Sequence, residues 1–323
     1  MAEFDWAELA FGSKRPLSEL NAVFIAAPRE ISAERFTQMV KQYLPKANIV
    51  LGLAKEAYVH GFEGQPQFKT LNVKTVDEII ARVNKSANGR KIATLKYFQR
   101  ELPFILEKVK FSKIVLVNGS WQHVFHNSPA FYQLVNSHTP YELVSPFIDE
   151  KEAKKAARML ERIIAKGLNL KTGQVVSQQE ASALATEAAK QSFDYNFQTG
   201  AVIAKPVNKG SYRVLAAVCN RVVPYQTYAM HHGASRETNF SPPNDLNHYD
   251  TVHAEVEALI QAQRHTTDLK ESTLFINLLP CPTCARMLTE TDIAEIIYSQ
   301  DHSSGYAVKL LESAGKKVRR LVI

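Results

Sequence analysis

Three cysteines in 323 residues, Cys219, Cys281 and Cys284, are too few and the wrong parity for a disulfide framework, which leaves metal binding or free thiols. Long apolar runs are also missing: none approaches the ~18 residues that a membrane-spanning helix needs, so no membrane partner is expected. The opening Met-Ala-Glu-Phe-Asp-Trp carries acids where a signal peptide would carry cations, and a cytoplasmic location is the expectation. No G-x-G-x-x-G and no G-x-x-x-x-G-K-[ST] occurs, which removes the dinucleotide fingerprint and the kinase phosphate loop. Low-complexity tracts and internal repeats are absent as well.

What is present is an ordinary globular composition, 45% hydrophobic and 22% charged, in a chain long enough for two cores. The formal charge of +7 is spread over both halves, except that residues 79–100 carry Arg82, Lys85, Arg90, Lys91, Lys96 and Arg100 with no acid. Such a stretch reads either as a solvated face or as a contact surface for phosphates or nucleic acid.

The first half reads as an open α/β layer. Asn21 to Ala27, closed by Pro28, is a short apolar strand. Ser32 to Leu44 has Phe36, Met39, Val40 and Leu44 at helical spacing, and Asn48 to Ala54 is apolar again, so a parallel strand, helix, strand unit is predicted. A capping box at Thr75 to Glu78 predicts a second helix. A third helix is expected over about Ile92 to Lys110, disturbed by Pro103, then a strand at Lys113 to Val117, and a helix opened by Ser128 and Pro129. The strand ends place a candidate pocket near Pro28 to Glu30, Lys55 and Asn118 to Trp121, with His123 and His126 close by. A helix over Asp149 to Lys166, with Ala156, Met159, Leu160 and Ile163 on one face and Gly167 as its cap, marks the domain boundary. The predicted division is residues 1–148, a linker at 149–175, and a second domain at 176–323.

The second domain opens on a capping box, Ser177 to Glu180, heading an Ala-rich helix to Phe193, and continues with a hairpin of Ala201 to Lys205 and Tyr212 to Cys219. Residues 220–251 form a long segment rich in Pro, Gly, Asn, His and Tyr, of the kind that is usually functional. His231, His232 and His248, with Arg221 and Arg236 as phosphate-clamp candidates, are its chemistry-bearing residues. Helices and strands then alternate, Val252–Gln263, Thr273–Leu279, Cys281–Glu290, Ile293–Ser299, Gly305–Ala314 and Lys317–Ile323, which predicts a parallel run at this side of the sheet.

His253-Ala254-Glu255 begins one of these helices and Pro280-Cys281-Pro282-Thr283-Cys284 begins the next. Cys-x-x-Cys at a helix start puts two sulfurs within reach of one ion, and the helix dipole favours the thiolate that zinc requires. His253 supplies a third ligand. Three ligands with no evident fourth is the pattern of a catalytic zinc, whose open position holds water. Glu255, two residues past the histidine, is placed to shuttle protons.

This pattern, H-x-E followed by P-C-x-x-C, resembles the cytidine deaminase-like superfamily of zinc deaminases over roughly Gln179 to Ile323. TVHAEVEAL, TLFINLLPCPTCARML and IAEIIYSQDHSSGYAVKLLESAGKKV look most similar to the deoxycytidylate deaminase branch, then to tRNA adenosine deaminases, whose glutamate before Pro-Cys is Leu279 here. The resemblance implies a three-layer α/β/α domain with a mixed five-stranded sheet. It implies Asn220, Ala254, Asp301 and Tyr306 as substrate contacts, and a homo-oligomer, a dimer at least. The expected activity is hydrolytic deamination of a nucleobase, cytosine in a nucleotide or nucleoside. Two alternatives stand beside it: a base in tRNA or single-stranded nucleic acid, and an inactive zinc-stabilised nucleotide-binding protein.

Overall fold

The computed structural model describes residues 20–26, 29–86, 89–120, 124–167, 172–242, 245, 247–301 and 304–322. The opening hexapeptide, Pro28, Trp121 and His123 lie outside the described residues. Contacts group the chain into two compact units, residues 1–160 with 227–249, and residues 161–226 with 250–323. The linear division expected from the sequence assigns 227–249 to the second unit; the contacts group it with the first.

In the first unit, β1 (Ala22–Ala26), β2 (Asn48–Ala54), β3 (Ile92–Tyr97), β4 (Lys113–Val117) and β5 (Tyr141–Val144) form an all-parallel sheet in the order β3-β2-β1-β4-β5. Helices cover both faces, which is why β1, β2 and β4 are near-continuous apolar runs. On one face α1 (Ala33–Tyr43) buries Phe36, Met39, Val40 and Tyr43 against Val23, Ile25, Ile49, Leu51, Val115 and Val117, and α2 (Asp77–Asn84) adds Ile79, Ile80 and Val83. On the other, α3 (Leu102–Lys108) and α4 (Pro129–Asn136) bring Leu102, Ile105, Leu106, Ala130 and Leu134 onto Phe24, Val50, Leu95, Ile114 and Leu116. Ser32 caps α1 by accepting from the Arg35 amide, and Ser128 with Pro129 starts α4 as expected.

Five expectations for residues 75–167 are corrected. Ile92 to Tyr97 is the strand β3 and not helix: its side chains sort to opposite faces, Ile92 to one core and Ala93, Leu95 and Tyr97 to the other. Pro103 does not disturb a helix interior, because the helix starts at Leu102 and leaves the proline in its first turn, where its missing N–H costs nothing. The N-cap of α2 is Val76, without a side-chain bond, so the Thr75 box does not form. In α5 (Glu150–Gly167) the buried positions are Ala153 and Ala157, whereas Met159 and Ile163 are exposed; Gly167 is the last helical residue and not a cap beyond it.

The second unit holds a mixed sheet in the order β13-β12-β11-β7-β8-β6, from β6 (Val175–Ser177), β7 (Gly200–Asn208), β8 (Ser211–Cys219), β11 (Thr273–Leu278), β12 (Glu295–Gln300) and β13 (Lys317–Arg320). β6 is a sixth strand beyond the five expected: three residues that pair antiparallel with β8 at the edge. The hairpin β7–β8 is antiparallel, β11 runs antiparallel to β7, and β11, β12 and β13 are parallel. The two-residue strands β9 (Arg221–Val222) and β10 (Thr251–Val252) pair as a separate ribbon.

Alternation along the strands sends successive side chains to two helical layers. α6 (Gln178–Ala189), headed by the reciprocal box of Ser177 and Glu180, packs Ala181 and Ala185 on Val202, Ala204, Val214, Phe275 and Ile297. α7 (Ala254–Arg264), α8 (Pro282–Thr289) and α9 (Tyr306–Ser313) cover the opposite face through Ala258, Ala262, Ala285, Leu288, Ala307 and Leu311 on Ile203, Leu274, Ile276 and Ile296. The result is the three-layer α/β/α arrangement expected. α6 lies so close to β7 that a Cβ at Gly200 would stand 2.0 Å from the Ala185 carbonyl oxygen.

Candidate metal centre

Two helix starts build the site. His253 is the N-cap of α7, with extended backbone handed over from β10, and Cys281 is the N-cap of α8, where Pro282 fixes the first helical position. The Cys281 Sγ accepts the Cys284 amide at 3.4 Å, so the first turn of α8 orients both sulfurs. His253 Nδ1 lies 3.6 Å from Cys281 Sγ and 3.3 Å from Cys284 Sγ. Bonds of about 2.3 Å to sulfur and about 2.0 Å to nitrogen put the ligand atoms of a tetrahedral zinc about 3.5 Å apart, so this donor set fits zinc. It is the metal-ligand group found among the described residues.

Burial shapes the electrostatics. Both cysteines are buried, and the pair shares one proton: the Cys284 thiol, pushed up, donates to Cys281, whose thiolate is held down to about 4 by that bond and by His253. The bond to Cys281 raises His253 in turn. Glu255 is 3% exposed. Loss of solvent pushes its carboxyl up to about 7, and it is hydrogen-bonded to the Cys284 thiol. A carboxyl near 7 takes up and gives back protons at neutral pH. Cys219, the remaining cysteine, is a half-buried group at the end of β8 whose thiol desolvation pushes up to about 12.

The other expected site residues are placed as follows. Ala254 is fully buried in the first turn of α7, where backbone amides have no acceptor within the helix. Asn220 is buried at the end of β8. Its Oδ1 accepts from the Thr199 amide at 2.9 Å, and its Nδ2 donates to the Phe197 carbonyl at 2.8 Å and to Asp194 at 3.3 Å. Asp301 follows β12 and is exposed. Tyr306 is half exposed at the start of α9, its hydroxyl accepting from Arg286 at 3.2 Å. Arg221 lies 3.5 Å from the buried Glu257. Arg236, His231, His232 and His248 group with the first unit: Arg236 is buried and donates to the Asp245 carbonyl, His231 meets Ser145, and His248 meets Asp245.

Sequence reasoning missed Asp194. Its carboxylate collects the amides of Asn196 and Phe197, the Asn220 amide and the Thr251 hydroxyl, and so ties the entry to β7 to the strand that leads to His253. A lone aspartate after a helix carries no spacing signal; only the fold brings it there.

Residues 175–300 match the family described as "Cytidine and deoxycytidylate deaminase zinc-binding region", and the C-terminal half is such a zinc-binding deaminase domain, with His253, Cys281 and Cys284 as its cluster. Among characterised relatives, the deoxycytidylate deaminase of Saccharomyces cerevisiae is 31% identical over 138 residues, 42% of this chain and 42% of the relative. That of Homo sapiens is 28% identical over 150 residues, 43% of this chain and 76% of the relative. The match thus spans less than half the length of the yeast relative. The structure of the dCMP deaminase from the cyanophage S-TIM5 in complex with dCMP and dUMP is 18% identical, with a TM-score of 0.33, over 45% of this chain and 96% of that one.

Proposed function

We propose that the chain is a zinc-dependent hydrolytic deaminase that acts on cytosine in a nucleotide or nucleoside and releases ammonia. The observation that carries this reading is the convergence of His253, Cys281 and Cys284 with the buried carboxyl of Glu255 beside them. Zinc would be held by His253, Cys281 and Cys284 and would supply Lewis acidity to activate water. Glu255 takes the proton of the attacking water, passes one to the ring nitrogen and later protonates the departing amine. The Ala254 amide meets the base, Asn220 meets base or sugar while its own bonds set the loop 194–200, and Asp301 and Tyr306 flank the substrate. The cytosine nucleotide is favoured because the relatives named above are deoxycytidylate deaminases.

A base in tRNA or single-stranded nucleic acid is the second reading, supported by the basic stretch 79–100. Two of its cations hold the chain's own backbone, Arg90 donating to the Pro45 carbonyl and Lys91 to that of Asn84, which favours the small substrate. On either reading the chain pairs with itself, and light scattering at micromolar concentration gives a dimer or larger; a monomer contradicts the pairing.

The test of function is ammonia release by the zinc-loaded protein from a panel of nucleosides, nucleotides, free bases and tRNA. Release from dCMP or another cytosine nucleotide supports the reading. Release from tRNA alone transfers it to nucleic acid, and stoichiometric zinc with no release from any member leaves only a zinc-stabilised binding protein.

A further inference from the structure

The sheet of the first unit reverses its direction of growth at β1: β2 and β3 lie to one side and β4 and β5 to the other. The helices that follow these central strands go to opposite faces, α1 after β1 to one core and α4 after β4 to the other. The chain after β1 and the chain after β4 therefore part at their carboxyl ends, and a crevice between diverging loops at such a reversal is where open α/β sheets hold ligands. No part of the deaminase chemistry uses it.

Polar residues converge there. Arg29, three residues past the end of β1, is 3% exposed, and its amide donates to the Ser120 hydroxyl at 2.9 Å. Its guanidinium lies 4.9 Å from the Phe68 ring centroid on one side. On another it meets Gly119, where φ is +78° and a Cβ would stand 2.7 Å from Arg29 Nη1. Glycine thus lets the guanidinium lie against the turn that follows β4. Asn118, the first residue past β4, is 6% exposed, its amide is taken by the Val144 carbonyl, and its Oδ1 is buried without a hydrogen bond. A buried acceptor left unbonded is unfavourable unless something supplies its donor.

We propose that the first unit binds a phosphorylated small molecule of the nucleotide class at the carboxyl ends of β1 and β4, with Arg29 on its phosphate and Asn118 Oδ1 accepting from a hydroxyl or amino group. The planar guanidinium, fixed between an aromatic ring and a glycine turn, is matched to phosphate oxygens, and the amide oxygen requires a ligand that also carries an N–H or O–H donor. Inorganic phosphate meets only the first requirement; a nucleotide meets both.

The experiment is calorimetric titration of the full-length zinc-loaded protein with inorganic phosphate, AMP, ATP, GMP and GTP, purine probes chosen to avoid the cytosine site. At least one nucleotide binds more tightly than phosphate. Arg29→Gln weakens it by roughly tenfold or more, the size of one lost charge-assisted hydrogen bond, Asn118→Ala weakens it severalfold, and Cys281→Ser, which empties the zinc site, leaves it unchanged. Absence of binding by every nucleotide overturns the proposal, as does affinity unchanged in a folded Arg29→Gln variant. So does binding lost in a Cys281→Ser variant that remains folded, which assigns it to the zinc site. Should Arg29→Gln fail to fold, Asn118→Ala decides: unchanged affinity there overturns the proposal.

Discussion

His126 Nδ1 lies 3.1 Å from Oε2 of Glu237, a buried contact between residues 111 positions apart. Glu237 also accepts the amides of Phe125 and His126, while His126 Nε2 faces the Ser241 carbonyl at 3.0 Å. This pair fastens residues 227–249 into the first unit, together with the Thr227 hydroxyl on the Ala153 carbonyl. Glu237→Ala strands two buried amides and an imidazole, and the expected loss is roughly 3 kcal/mol in urea unfolding of the full chain. A loss below about 0.5 kcal/mol would show that the contact holds nothing.

The same glutamate gives a pH dependence. Burial raises its carboxyl, against the opposing hydrogen bonds of His126. The folded chain keeps this proton at pH values where the unfolded chain has released it. Its stabilising contribution is therefore full below the ordinary glutamate value of about 4.3 and is lost as pH rises through the raised folded value. Relative to Glu237→Gln, the urea midpoint of the wild type should fall with rising pH across that window; parallel profiles would contradict the assignment.

Gly200→Ala tests the packing of the second unit. The added methyl meets the Ala185 carbonyl and the Ala189 amide nitrogen, both backbone, so α6 and β7 must separate. A loss of about 1–3 kcal/mol is expected from overpacking of this kind. An unchanged urea midpoint would mean that the two elements do not approach so closely.

The thiols report on the metal. With zinc bound, Cys281 and Cys284 are ligands and Cys219 is a half-buried thiol pushed up to about 12, so a thiol reagent at pH 8 finds none of the three quickly. Chelation should release one reactive thiol, the Cys281 thiolate, and denaturation the other two. Cys281→Ser should lose the zinc and, with it, stability. Three fast thiols in the zinc-loaded protein, or one zinc retained in Cys281→Ser, would refute the ligand set.

The zinc cluster was legible because its ligands come from helix starts: His253 and Cys281 are both N-caps, and capping residues carry local sequence signatures. Alternating helices and strands from 252 onward were legible for the same reason. β3 was not, since Ile92 and Leu95 stand at a helical spacing while Ala93, Leu95 and Tyr97 stand at a pleated one, and only the neighbouring β2 decides. The buried stripe of α5 was misplaced because alanines at 153 and 157 admit close packing that larger apolar residues at 159 and 163 do not. Asp194 and the His126–Glu237 pair depend on contacts between distant segments, which no local pattern records.

Glu255→Ala tests the central claim most directly, because it removes the proton carrier and leaves His253, Cys281 and Cys284 in place. Zinc content and deamination of dCMP should be measured on wild type and variant side by side. The account predicts one zinc per chain in both, with turnover in the variant lower by more than the ~10²- to 10⁴-fold typical of losing a general acid or base, since one carboxylate serves several transfers. A variant that keeps its zinc and most of the wild-type rate would contradict it.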